Sequence, residues 1–143
     1  MAVSALPILI GTAVTLLVAL VARVTGMDRD RALYPVALLF IAAYYLLFAV
    51  IGGSKTEFLA EAGFFLIFLA AAVAGFRTSL WLAVAGLAAH GVFDVVHPAI
   101  IEGRGVPPWW PGFCLGADVA AAACLAALLI LRPGSGPAVS PSP

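Results

Sequence analysis

The sequence predicts an all-α fold, an integral membrane bundle of about five transmembrane helices, and three observations carry that reading. Mean hydropathy is +1.17 and only 10% of residues are charged, whereas a soluble domain carries about 25%. Turn signals divide the chain into five apolar stretches, each close to the roughly 20 residues needed to cross the hydrocarbon core. These stretches are apolar all round, where a helix of a soluble bundle would keep a polar face.

The first stretch, residues 3–22, lacks the basic leader and small-residue cleavage site of a signal peptide, so it reads as a retained membrane helix closed by the polar run 23–31. The second, 33–51, carries Pro35 in its opening turn, where a missing N–H costs nothing, and stops at Gly52-Gly53. The third, 56–76, opens on Ser54 with Glu57 three residues later, the pattern of a capping box. The fourth, 79–97, is expected to end at His97 because Pro98 disfavours helix in the residue before it. The fifth, 109–131, runs from Trp109-Trp110-Pro111 to Arg132-Pro133-Gly134. The remaining segment, 133–143, is Pro, Gly and Ser with almost nothing to bury, and is expected to be disordered. No internal repeat is visible.

Charge sets the partners and the orientation. Seven basic and seven acidic residues cancel, which leaves no positive field to hold nucleic acid and makes the lipid bilayer the expected partner. Arg23, Arg29, Arg31, Arg77 and Arg132 follow the odd-numbered helices, while only Lys55 and Arg104 lie on the other side. The positive-inside rule then places the N-terminus outside and the C-terminus in the cytoplasm. Cys114 and Cys124 are ten residues apart on one helix, about 15 Å and beyond disulfide reach.

Ionisable residues inside a span are expensive, by about 2.5–3.5 kcal/mol each on insertion scales, and so point to function. Here they are Glu57, Glu61, His90, Asp94, His97 and Asp118. Counting from the outer ends of their helices, Glu61 and Asp94 lie about 6 Å deep, Asp118 about 10 Å and His90 about 12 Å. All six therefore fall in one half of the bilayer, whichever way up the chain sits. Offsets of four and seven put His90, Asp94 and His97 on one helix face, with Gly86 a turn deeper. Imidazole and carboxylate on one face suit a first-row metal such as zinc, iron or manganese. His90, Asp94, His97 and Asp118 are the candidate ligands, and Glu61 the candidate general base. Glu57 with Glu61 and Cys114 with Asp118 form further one-face pairs. The same groups also suit a proton relay, and a His90–Asp118 hydrogen bond is equally what a packing device would use.

In the outer connection, Trp109 and Trp110 suit the headgroup layer, and their place over the polar residues also makes them a candidate lid. Gly112 and Gly116 allow close approach of a neighbouring helix. Tyr44, Tyr45, Thr12 and Thr15 carry mid-span hydroxyls that need partners; each can bond to its own helix or face the cluster, and the structural reading is favoured for all but Tyr45.

The pattern His90-Gly91-x-x-Asp94-x-x-His97 followed by Val106-Pro107-x-Trp109-Trp110-Pro111-x-Phe113-Cys114-x-x-x-Asp118 resembles a family of small bacterial multi-pass membrane proteins of uncharacterised function. The resemblance implies that these His, Asp, Trp and Cys positions are motif positions, and implies no activity. Membrane hydrolases of the alkaline ceramidase type offer an analogy, holding zinc near a leaflet surface with His and Asp on helices. Three functions fit: a membrane-embedded metal-dependent enzyme acting on a lipid-like substrate, a small ion- or proton-coupled carrier, and a non-catalytic accessory protein with a structural polar core, any of them open to homo-oligomerisation.

Overall fold

A computed structural model describes residues 4–131. Among the described residues five α-helices, α1 (Ala5–Thr25), α2 (Leu33–Ile51), α3 (Lys55–Arg77), α4 (Leu80–Ile100) and α5 (Trp110–Leu131), are joined by short connections, with a 3-10 turn at Met27–Arg29. All five are long and apolar enough to cross a membrane, so the chain is a multi-pass, all-α membrane protein. The segment 133–143 expected to be disordered lies outside the described residues.

Helix ends follow local chemistry. α1 runs one turn past the expected end, to Thr25, and stops where Gly26 takes a left-handed conformation (φ +82°) that other residues adopt at a cost. At the N-terminus of α3, Ser54 Oγ accepts from Glu57 N–H at 3.2 Å. The box is only half closed, because the Glu57 carboxylate turns to Arg104 instead, accepting from its backbone N–H at 3.3 Å. At the far end of α3 the Arg31 guanidinium donates to Phe76 O at 3.1 Å, covering carbonyls that the last turn leaves unpaired.

α4 departs from expectation. Pro98 lies inside it, and the helix continues to Ile100 because the Ile101 N–H reaches His97 O at 2.9 Å. A proline removes one ladder bond; the turn beyond it survives when later donors still find their carbonyls.

α2, α3, α4 and α5 enclose the core: α2 packs on α3 and α4, and α4 lies between α3 and α5. Tyr34, Leu38, Phe48, Phe68, Leu87, Phe93 and Leu125 fill it. α1 stands outside this group, against α5 rather than against its sequence neighbour α2. Gly11 and Gly116 permit that crossing. A Cβ on Gly116 would collide with the Ile8 carbonyl, and one on Gly11 with that of Phe113. Thr12 adds a hydrogen bond across the crossing, donating to Gly116 O at 3.2 Å. Gly116, the second glycine of the Gly-x-x-x-Gly at the top of α5, therefore serves packing within the chain.

Gly116→Ala should lower thermal stability in detergent by roughly 1–3 kcal/mol, the cost of overpacking a contact that backbone cannot yield. Gly63→Ala, where nothing stands within 4 Å of the added Cβ, should be neutral or stabilising by up to about 1 kcal/mol. Equal melting temperatures for the two variants would mean that the α1–α5 crossing is not set by Gly116.

A candidate metal centre between helices α2, α4 and α5

The intramembrane polar residues collect at one end of the bundle and divide into two groups. In the first, His90 and Asp94 from α4 meet Asp118 from α5. His90 Nδ1 lies 2.7 Å from Asp118 Oδ2 and 3.4 Å from Asp94 Oδ2. All three side chains are fully buried. One donor atom from each falls within 4.8 Å of the others, close enough to share a metal ion. The 2.7 Å separation is a hydrogen bond; a zinc tetrahedron with bonds of about 2.0–2.1 Å would need that pair to part by roughly half an ångström.

Tyr45 of α2 completes this group. Its hydroxyl donates to Asp94 Oδ1 at 2.6 Å, so one carboxylate oxygen is held and the other is turned toward His90. Asp94 Oδ2, Asp118 Oδ1 and His90 Nε2 are buried with no hydrogen-bond partner. Such orphans are rare in folded proteins, and in a bilayer no water replaces the missing partner. Gly91 makes room for Asp118, whose Cβ would stand 3.4 Å from a Cβ at that position; Gly86, expected to extend the polar stripe, packs on Leu38 instead. The rings of Tyr45, Phe68 and Phe93 wall His90, with Phe68 nearest at a centroid distance of 4.6 Å.

The second group is Glu61 and His97. His97 shares the helix face of His90 and Asp94, but its Nε2 meets Glu61 Oε1 at 2.5 Å. His97 thus falls outside the triad that can share one ion. α3 packs on this part of α4 and delivers a carboxylate that captures it. The Tyr45 ring lies against His97, centroids 4.2 Å apart and tilted by 31°, so one tyrosine touches both groups. Glu61 Oε2 is a further buried oxygen without a partner. Cys114, paired with Asp118 in the sequence reading, is a buried free thiol that does not join the triad; Cys124 is free too.

The 101–109 connection covers this end. Gly103 adopts φ +62°, and a Cβ there would stand 3.1 Å from His97 Cε1, so the loop lies directly over the imidazole. Beside it opens a cleft of about 480 Å³ lined by Ser54, Thr56, Glu57, Ala60, Glu102 and Arg104 among others. At its rim Arg104 donates to Glu102 at 2.8 Å, and this contact holds the exposed Glu102 carboxyl below the usual carboxylate range. Of the two tryptophans, Trp109 is half exposed, as an interfacial anchor should be. Trp110 instead wedges between Tyr44 and Phe48, with centroids at 4.8 and 5.0 Å.

Fold and site together define the class: a five-helix multi-pass membrane protein with a buried His–Asp–Asp group able to hold a metal. No family model, no curated protein and no solved structure matches the chain, so the functional reading rests on the site's own chemistry.

Glu61→Leu or His97→Phe alone strands a buried partner and should cost roughly 3–5 kcal/mol. The double replacement removes both and should lie within about 1.5 kcal/mol of the native chain. A double-mutant cycle of unfolding in mixed micelles measures this. Additive single and double effects would show that the two side chains are not coupled.

Proposed function

We propose that this chain is a bacterial inner-membrane protein, N-terminus outside, that holds one divalent transition-metal ion at His90, Asp94 and Asp118 and uses it to act on a lipid-like substrate at the outer leaflet. The observation that carries this reading is the convergence of three buried donor groups within 4.8 Å, with an unsatisfied oxygen on each of the two carboxylates. Charge supports it. Two carboxylates and a neutral imidazole offer a formal charge of −2, which one divalent cation cancels in a medium where uncompensated charge is costly.

Capture of His97 by Glu61 also changes the kind of centre. Four protein ligands close a site, whereas three leave a position for water or substrate, the pattern of catalytic zinc centres. A divalent metal held by these three residues would supply Lewis acidity to water or substrate at that position. The Glu61–His97 pair, linked to the centre through Tyr45, is the acid–base group placed to work beside it; here Glu61 acts as general base with His97 orienting it. Depth near one leaflet and a cleft at the same end favour an amphipathic substrate. The second reading, a structural polar core, is favoured by the complete enclosure of the triad.

Purified in detergent without chelator, the wild type should carry close to one equivalent of metal by elemental analysis. His90→Ala and Asp118→Ala should lose it, and the Glu61→Leu/His97→Phe double variant should keep it. Metal-free wild type of undiminished stability would leave the structural-core reading standing. Loss of metal on His97 replacement would restore a four-ligand set.

Orientation has its own test. In a chain lacking Cys114 and Cys124, an impermeant thiol reagent applied to intact cells should label Ser54→Cys and miss Arg29→Cys. The reverse pattern inverts the protein in the membrane and moves the site to the inner leaflet.

A further inference from the structure

We propose that Tyr45 determines which metal this centre accepts: by holding Asp94 Oδ1 it makes Asp94 a one-atom donor and restricts the site to a small four-coordinate ion, zinc, over manganese or magnesium. The proposal rests on the metal-binding reading above and concerns the selectivity of that same centre.

Carboxylates bind metals through one oxygen or two, and the difference sorts ions. Magnesium, calcium and manganese favour six or more oxygen ligands, whereas zinc is satisfied by four donors of mixed nitrogen and oxygen. With one position left to water or substrate, the number of available carboxylate oxygens therefore decides the coordination number that can be reached. Tyr45 removes one from the count, because its hydroxyl donates to Asp94 Oδ1 at 2.6 Å. The remaining oxygen, Oδ2, is the unpartnered one and stands 3.4 Å from His90 Nδ1. Two ligands on a tetrahedral zinc with bonds of about 2.0–2.1 Å are separated by roughly 3.3–3.4 Å.

Tyr45 is also unable to withdraw. It is 2% exposed, and its ring is fixed on three sides: His97 at 4.2 Å, Phe93 at 5.5 Å and Phe48 at 6.3 Å between centroids. A ring held this way keeps its hydroxyl oxygen beside Asp94 Oδ1 when a larger ion arrives. Tyr45 is thus a positioning residue. It does not touch the metal, and acts through the carboxylate that does, as hydrogen-bond partners of metal ligands commonly do.

Competition between Zn²⁺ and Mn²⁺, together with the absorption of the Co²⁺ form, tests the proposal on purified full-length wild type, Tyr45→Phe and Tyr44→Phe. Tyr45→Phe should lose about 10- to 100-fold in zinc affinity while manganese affinity holds or rises, so the preference narrows. Its Co²⁺ bands should weaken from the intense four-coordinate pattern to the faint five- or six-coordinate one. Tyr44→Phe, which deletes the neighbouring half-exposed hydroxyl, should match wild type, which separates selectivity from general packing. An unchanged zinc-to-manganese ratio and Co²⁺ spectrum in Tyr45→Phe overturn the role of Tyr45 and leave metal binding intact. Wild type that binds neither ion overturns both. Should Tyr45→Phe fail to fold, X-ray absorption of the wild-type zinc form decides: four nitrogen and oxygen neighbours support the proposal, and a six-coordinate shell overturns it.

Discussion

The rest of the structure depends on one constraint: polar side chains on membrane helices must be satisfied by other helices, because the hydrocarbon offers them nothing. Tyr45 on α2, Glu61 on α3, His90, Asp94 and His97 on α4 and Asp118 on α5 each need a partner from another element. Their mutual bonds tie α2 to α4, α3 to α4 and α4 to α5. α4 carries three of the six and stands where the other three helices meet it. α1 carries none of these groups and packs on the outside of α5, through glycines and one threonine hydroxyl.

Within that frame the polar groups are not equally satisfied. His97 and Glu61 form a compact pair. The triad leaves an unpartnered buried atom on each of its three members, while the pair leaves one, Glu61 Oε2. A packing device gains nothing from orphaned oxygens, because each costs about 1–3 kcal/mol in lost solvation. A ligand set gains from them. Position within the bundle adds to the contrast: Phe68 and Phe93 make the surroundings of His90 apolar, which strengthens any electrostatic interaction with an ion held there.

Much of this was legible in the sequence, for physical reasons that also explain the gaps. Span length and all-round apolarity identify five helices without reference to packing. The depth of each ionisable residue follows from helix rise alone, so their collection in one half of the bilayer was readable before any contact was known. Partner choice was not. His97 lies on the same face as His90 and Asp94, and helical spacing cannot say that α3 will present Glu61 to it. Pro98 read as a stop, because the rule for the residue before proline ignores the Ile101 N–H that carries the helix on. Tyr45 stood out as the mid-span hydroxyl that could face the cluster, but its partner was not legible. Packing turns Tyr45 onto Asp94 and its neighbour Tyr44 onto Trp110. The sequence likewise does not say which helix α1 packs on; the small residues Gly11 and Gly116 draw it to α5.

The central claim is that α4 and α5 present three donor groups to one ion while His97 is held apart by Glu61. An experimental structure of zinc-soaked protein, with anomalous differences recorded at the zinc edge, tests it most directly. The account predicts a single anomalous peak among His90, Asp94 and Asp118, about 2.0–2.2 Å from one nitrogen and two carboxylates, with Tyr45 still bonded to Asp94 and His97 to Glu61. A peak ligated by His97, or no peak between α4 and α5 at saturating zinc, would contradict it.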